Sequence, residues 1–192
     1  MRRAVAGFAI LCSAAIAASA SSAGSGRTVV HYFHGFRAGA IAPGVHVTRT
    51  AKGYCWTQSS LEGRRFAWRC FKRNYILDPC FSSARHAHFV LCPTKPWSDD
   101  VIRLRLTRRL PGWESRVFNQ GLPVGVWTTT GKRCVHSSDA TSEIRRKPIT
   151  YQCPHGGLLL GFVRRGTRLW TVQYLSSYKA KLTRVGITDA WW

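Results

Sequence analysis

Six cysteines, Cys55, Cys70, Cys80, Cys92, Cys134 and Cys153, follow an apolar N-terminal segment in a chain of 192 residues. An even set of cysteines behind an export signal implies an oxidised, disulfide-stapled domain outside the cytoplasm. Export itself is read from the first residues. Met1-Arg2-Arg3 supplies a positive start, Ala4 to Ala18 is apolar, and Ala18-Ser19-Ala20 or Ser21-Ser22-Ala23 offers small residues for cleavage. A permanent span needs about 20 apolar residues, more than this stretch holds. Cys12 lies inside the segment and leaves with it. Leu11 stands where a lipoprotein signal carries a small residue, so lipidation is not expected. The expected organisation is a cleaved signal peptide over 1–23, a flexible leader over 24–28 and a single disulfide-bonded β domain over 29–192. No transmembrane span remains after cleavage.

Sequence leaves many cysteine pairings open, and geometry ranks them. Cys55 and Cys70 are symmetric about Glu62-Gly63, so a hairpin turning there sets them opposite, at the separation a disulfide prefers. Cys80 with Cys92 would close the loop from Phe81 to Leu91, and Cys134 with Cys153 would clamp the polar loop from Ser137 to Lys147. Each closure contributes about 3 kcal/mol in the chain-entropy model. No C-x2-C spacing suggests zinc in place of disulfides. The segments from Cys55 to Cys70 and from Cys134 to Cys153 share a loose order of Cys, Ser pair, basic pair, aromatic and Cys. Duplication of one hairpin and chance both account for it.

Strand signals dominate what lies between the cysteines. In Ile102-Arg103-Leu104-Arg105-Leu106-Thr107, a period of two places three aliphatics on one face and Arg103, Arg105 and Thr107 on the other. Leu158 to Leu175 reads as a hairpin turning at Arg164-Arg165-Gly166-Thr167, with Trp170, Val172 and Tyr174 sharing a face. Further strands are expected at Thr28 to Phe33, Val45 to Thr50, Tyr54 to Gln58, Phe66 to Phe71, Phe89 to Cys92, Val124 to Thr129, Ile149 to Cys153 and Arg184 to Thr188. No segment carries a long, capped helical period. The fold class is all-β, a mainly antiparallel sandwich or partly open barrel, with two halves packed together more plausible than two independent domains.

Gly53-Tyr54-Cys55-Trp56, Ala67-Trp68-Arg69-Cys70, Asp78-Pro79-Cys80-Phe81, Cys92-Pro93 with Pro96-Trp97, and Val185-Gly186-Ile187 with Ala190-Trp191 form a set of landmarks. The pattern from Gly53 to Trp192 resembles that of uncharacterised secreted or membrane-tethered actinobacterial proteins. The resemblance implies an extracellular disulfide-bonded module and carries over no catalytic residue.

Charge points to the class of partner. The chain holds 29 Lys and Arg against 8 Asp and Glu, and loss of Arg2 and Arg3 with the signal leaves 27 against 8. The cations are spread along the chain, so the whole fold attracts polyanions over a Debye length of about 8 Å. Anionic cell-wall polymers, acidic glycans, lipid head groups and extracellular nucleic acid are the candidate partners of what is expected to be a monomer. Bias of genome composition toward arginine would give the same surplus without a selected partner. Tryptophan beside arginine suits stacking on sugars or bases, and Trp97, Arg103, Arg105, Arg109 and Trp113 form the expected binding face. Trp192 is expected to be free as well, whereas Trp56 and Trp68 should pack over the first disulfide.

Catalysis has weaker support. Asp78 with His86 or His88 as proton carrier is the arrangement a small secreted hydrolase of polyanions would use. Asp78 equally suits a structural role, accepting nearby backbone N–H bonds or pairing with Lys72 or Arg73. Pairing Asp78 with Glu114 would be needed for a glycosidase, and no G-x-S-x-G context supports a serine nucleophile. His86 with His88, and His31 with His34, have common spacings and no acidic companion, so neither metal nor cofactor is expected. The resulting expectation is a non-enzymatic binding or structural module, secreted or wall-associated. A polyanion hydrolase and a basic defence or toxin-like protein are the alternatives.

Overall fold

The computed structural model describes residues 26–84, 87–112, 121–137 and 142–192. The expected signal peptide with Cys12, and His86, Trp113 and Glu114, lie outside the described residues. Three short strands come first, β1 (Val29–His31) and the small hairpin β2 (Phe36–Arg37) with β3 (Ala40–Ile41). Next come β4 (His46–Gln58), β5 (Ala67–Lys72), β6 (Tyr75–Phe81), β7 (Phe89–Pro93) and β8 (Asp100–Leu106). These five close into a barrel: each consecutive pair is antiparallel, and β8 returns parallel to β4 with Val47 beside Val101 and Gly53 beside Leu106. Alternation decides which side chains fill it. Ile102 and Leu104 enter with Trp68 and Val90, while Arg103 and Arg105 stay outside.

A second ring follows. It uses β9 (Gly125–Thr128), β10 (Arg133–His136), β12 (Lys147–Gln152), β13 (Leu158–Arg164), β14 (Trp170–Leu175) and β15 (Thr183–Trp191), with β11 (Glu143–Ile144) pairing the start of β12. Antiparallel pairings run from β9 through β10, β12, β13, β14 and β15 and return to β9, and β1 lies parallel to the end of β15. Val126, Tyr151, Leu159, Val172 and Ile187 fill this ring. The only helical piece among the described residues is a 3-10 turn, Pro154–Gly156, and no helix among them is long and apolar enough to cross a membrane. Of the two expected architectures the barrel is found, closed and present twice.

All three ranked disulfides are present: Cys55–Cys70, Cys80–Cys92 and Cys134–Cys153. Each joins residues directly opposite in an antiparallel pair, as the registers Cys55 to Cys70, Phe81 to Leu91 and Val135 to Gln152 require. The order β10-β12-β13-β14-β15 repeats β4-β5-β6-β7-β8, and each run opens on a disulfide-bridged pair. The first ring closes β8 on β4, however, while the second closes β15 on an additional strand, β9.

Several local expectations change. The segments 45–50 and 54–58 belong to one long strand, β4. Asp78-Pro79, a dipeptide that suits an extended or a turn conformation, sits inside β6. Its register explains this: between the pairs Trp68 with Cys80 and Cys70 with Leu77, Arg69 alone opposes Asp78 and Pro79. Proline is tolerated at such a bulge because no ladder bond is lost. Trp68 packs with the half-cystines, but Trp56 points outward and stacks on Phe71 at 4.3 Å.

The rings meet along a tight seam. Phe33 lies on Phe81, the Trp97 ring edge meets Trp191 at 6.0 Å, and Arg64 donates to the Phe33 carbonyl. Gly121 marks the closest approach. A Cβ there would lie 2.4 Å from the Leu61 carbonyl oxygen, while the Gly121 carbonyl accepts from Trp192 Nε1 and from Arg165. Trp192, expected to be free, is 8 % exposed and belongs to the second core.

Candidate functional site

The expected binding face divides between two places. Arg103, Arg105 and Arg109 lie at the β7–β8 side of the first ring, where Arg103 covers the Phe89 ring at 4.2 Å and Arg105 is exposed beside Lys52. Arg109 lines an open cavity with Arg108, His88 and Thr107. Trp97 is not with them. It packs in the seam against Pro96, Trp191 and the Arg133 guanidinium. Trp113 lies outside the described residues.

Asp78 occupies a different cleft, between the rings. Arg69, Ser60, Leu61 and Ile76 line it from the first ring, and Leu122, Val124, Val135 and His136 complete it. The β5–β6 hairpin turns at Arg73-Asn74, which sets Arg69 across from Asp78, its Nε 3.6 Å from Oδ2. Ser59 Oγ donates to Oδ1, and the Ser60 hydroxyl (2.7 Å) and backbone N–H (3.1 Å) donate to Oδ2. Ser59 Oγ in turn accepts from the N–H groups of Leu61 and Glu62, so the carboxylate anchors the β4–β5 turn. Burial raises the Asp78 pKa, against the lowering effects of the serine bonds and Arg69. His136 sits on β10 with its ring edge on Tyr151, and burial, assisted by the Arg69 charge, lowers its pKa to about 4. It is therefore a neutral imidazole at physiological pH.

His88, one of the two expected proton carriers, lines the far cavity with Arg108 and shares no cavity with Asp78 among the described residues. His86 lies outside the described residues, and the histidine that lines the cleft with Asp78 is His136. The ion partner of Asp78 is Arg69, where Lys72 or Arg73 was expected. Asn74 after the basic pair was the available signal, since a turn centred on Arg73-Asn74 places residues 69 and 78 opposite. No comparable signal marks His136, whose place depends on how β10 of one ring docks on β6 of the other. His31 bonds to Asp189 at 2.9 Å while stacking on Trp191, and no group of potential metal ligands occurs among the described residues. Comparison with family models, with curated proteins and with solved structures finds no match.

The basic side chains follow one pattern across both rings. Arg69 covers Trp56, Arg108 covers Tyr54, Arg133 covers Trp127 and Arg165 covers Trp192. Lysine and arginine ion pairs with carboxylates are confined, among the described residues, to Arg64 with Glu62 and Arg69 with Asp78. Guanidinium groups held over aromatic rings keep N–H groups available to an incoming anion.

Proposed function

We propose that the chain is a secreted, non-enzymatic module that binds anionic polymers at the cell envelope. The observation that carries this reading is the uncompensated cation surface, on which only Arg64 and Arg69 among the described lysines and arginines meet a carboxylate. Paired surface charges would be neutral at a distance, whereas these project a field of one sign from both rings. The disulfides are compatible with an extracellular setting and supply a rigid frame for that field.

Binding to purified wall polymer, anionic lipid vesicles and RNA across a salt series tests the reading. Log affinity should fall linearly with log salt on at least one of them, reflecting release of several counterions. Absence of binding to all three at low salt would overturn it. Convergence of Asp78, Arg69 and His136 in one cleft favours hydrolysis of the bound polymer as a second reading. That reading requires slow cleavage by the unmodified protein and none by His136→Ala at unchanged binding. The engagement of both Asp78 oxygens by serines supports the binding reading over it.

A further inference from the structure

The outer face of the second ring carries a groove that no sequence signal marked. Its origin is a pair of adjacent irregularities. On β13 the residues Gly161, Phe162 and Val163 stand opposite the single Val172, because Leu160 pairs with Gln173 and Arg164 with Thr171. On β12 the register shifts at Thr150, whose hydroxyl donates to the Gly161 carbonyl at 2.6 Å. Gly161 takes a φ of 72°, which a glycine adopts without steric cost. Bulges re-aim side chains. Here the result is Phe162 thrown outward, 77 % exposed, at the edge of a hollow of about 290 Å³.

Arg146, Lys147, Arg164 and Arg184 surround the hollow. None of the four meets a carboxylate, carbonyl or ring among the described residues. Gln173 is among the residues that line it, and its buried Oε1 has no hydrogen-bond partner among the described residues. Arg146 reaches the hollow from the two-residue turn between β11 and β12, where Arg145 and Arg146 hold φ of 54° and 60°. Such a turn favours Asn-Gly, and left-handed arginines are strained. Arg145 fastens the strained turn by donating to the Ala180 carbonyl at 2.9 Å.

We infer that this groove is a binding subsite for one acidic sugar unit of an anionic glycan. The inference rests on the polyanion reading and adds its chemistry. Four cations call for a carboxylate, sulfate or phosphate. The Gln173 side chain on the lining would meet a sugar hydroxyl by turning its amide into the hollow. The exposed Phe162 ring offers an apolar face for the C–H face of the same sugar. A fully ionic partner such as polyphosphate would use the cations and leave both Phe162 and Gln173 idle. Phosphate groups of nucleic acid would engage the same cations, but a single small hollow with one ring lacks the successive platforms that stacked bases use.

Titration with oligogalacturonate, inorganic polyphosphate, neutral dextran and single-stranded DNA, with Phe162→Ala and Arg146→Gly, tests the inference. Phe162→Ala removes an exposed ring, so folding is retained. It should weaken oligogalacturonate binding about fivefold and leave polyphosphate binding unchanged. Arg146→Gly should weaken both anions about tenfold while raising Tm by roughly 2–4 °C, since glycine relieves the left-handed position. Dextran should not bind. Equal oligogalacturonate affinity in Phe162→Ala and the parent overturns the subsite and leaves the polyanion reading standing. Loss confined to single-stranded DNA overturns it in favour of nucleic acid. Failure of the parent to bind any of the three anions overturns the subsite and the polyanion reading together.

Discussion

The first ring buries Cys55, Cys70, Cys80 and Cys92 around Trp68, Val90, Ile102 and Leu104, whereas the second buries Cys134 and Cys153 among Val126, Tyr151, Leu159, Val172, Val185, Ile187, Ala190 and Trp192. Half of the residues clustered in the first core are half-cystines. Its strands also close through a parallel contact between β4 and β8, while the second ring closes antiparallel and gains β1 at its edge. A small barrel with few large aliphatics gains stability from covalent closure, and a better-filled barrel needs less of it. The two rings thus solve one packing problem with different mixtures of bond and burial.

Removing the bridges is the strongest way to break this comparison. Alanine at Cys55, Cys70, Cys80 and Cys92 should cost about 6 kcal/mol, against about 3 kcal/mol for alanine at Cys134 and Cys153. Calorimetry should show the first ring melting earlier in the four-alanine protein. Equal losses, or a single coincident transition in both variants, would contradict the assignment.

Acid reaches the seam through His136. Its folded pKa of about 4 lies below the ordinary 6.5. The unfolded chain therefore binds more protons between those values, so stability is complete above about pH 6.5 and declines as pH falls toward 4, by at most about 3 kcal/mol. Asp78 acts in the opposite sense, since its raised pKa makes the folded state the better proton acceptor above 3.8. Comparing Tm from pH 7 to 4 for the parent and His136→Asn isolates the histidine. The variant should lose less, and parallel curves would show that His136 is not the coupled group.

Tyr151 gives the smallest effect and sharpens the comparison from the second ring. Its ring is fully buried, its hydroxyl finds no hydrogen-bond partner among the described residues, and burial raises its pKa. Tyr151→Phe should stabilise by about 1 kcal/mol by removing an unpaid desolvation. Denaturant unfolding will read it as a higher midpoint at constant slope. A loss would mean the hydroxyl has a partner in solution.

What could be read in advance was local. The alternation from Ile102 to Thr107 defined β8, the symmetry of Cys55 and Cys70 about Glu62-Gly63 set a hairpin register, and Leu158 to Leu175 forms the expected hairpin, with its connection at 165–169 where 164–167 was expected. Ring closure was not legible, because β4 with β8 and β9 with β15 join strands far apart in sequence by backbone bonds that any side chains permit. Asp78-Pro79 left extended and turn conformations open, and the bulge in β6 takes the extended one. The groove around Phe162 was hidden for a related reason. Arginine is not a turn residue, so nothing in Glu143-Ile144-Arg145-Arg146-Lys147 announced a two-residue turn. At the cleft, Asp78 was recognised and His136 was not, since lining one cleft from two rings leaves no mark on spacing.

The cysteine pairs are consecutive along the chain: first with second, third with fourth, fifth with sixth. On a chain emerging N-terminus first, each thiol's proper partner is the next one to appear, 15, 12 or 19 residues behind it. Oxidation that simply keeps pace with emergence thus reaches the native connectivity with no bond to undo. Crossed or nested frameworks must reshuffle early mistakes by thiol–disulfide exchange. This one asks only for an oxidant, and should refold from the reduced state at a rate set by thiol oxidation.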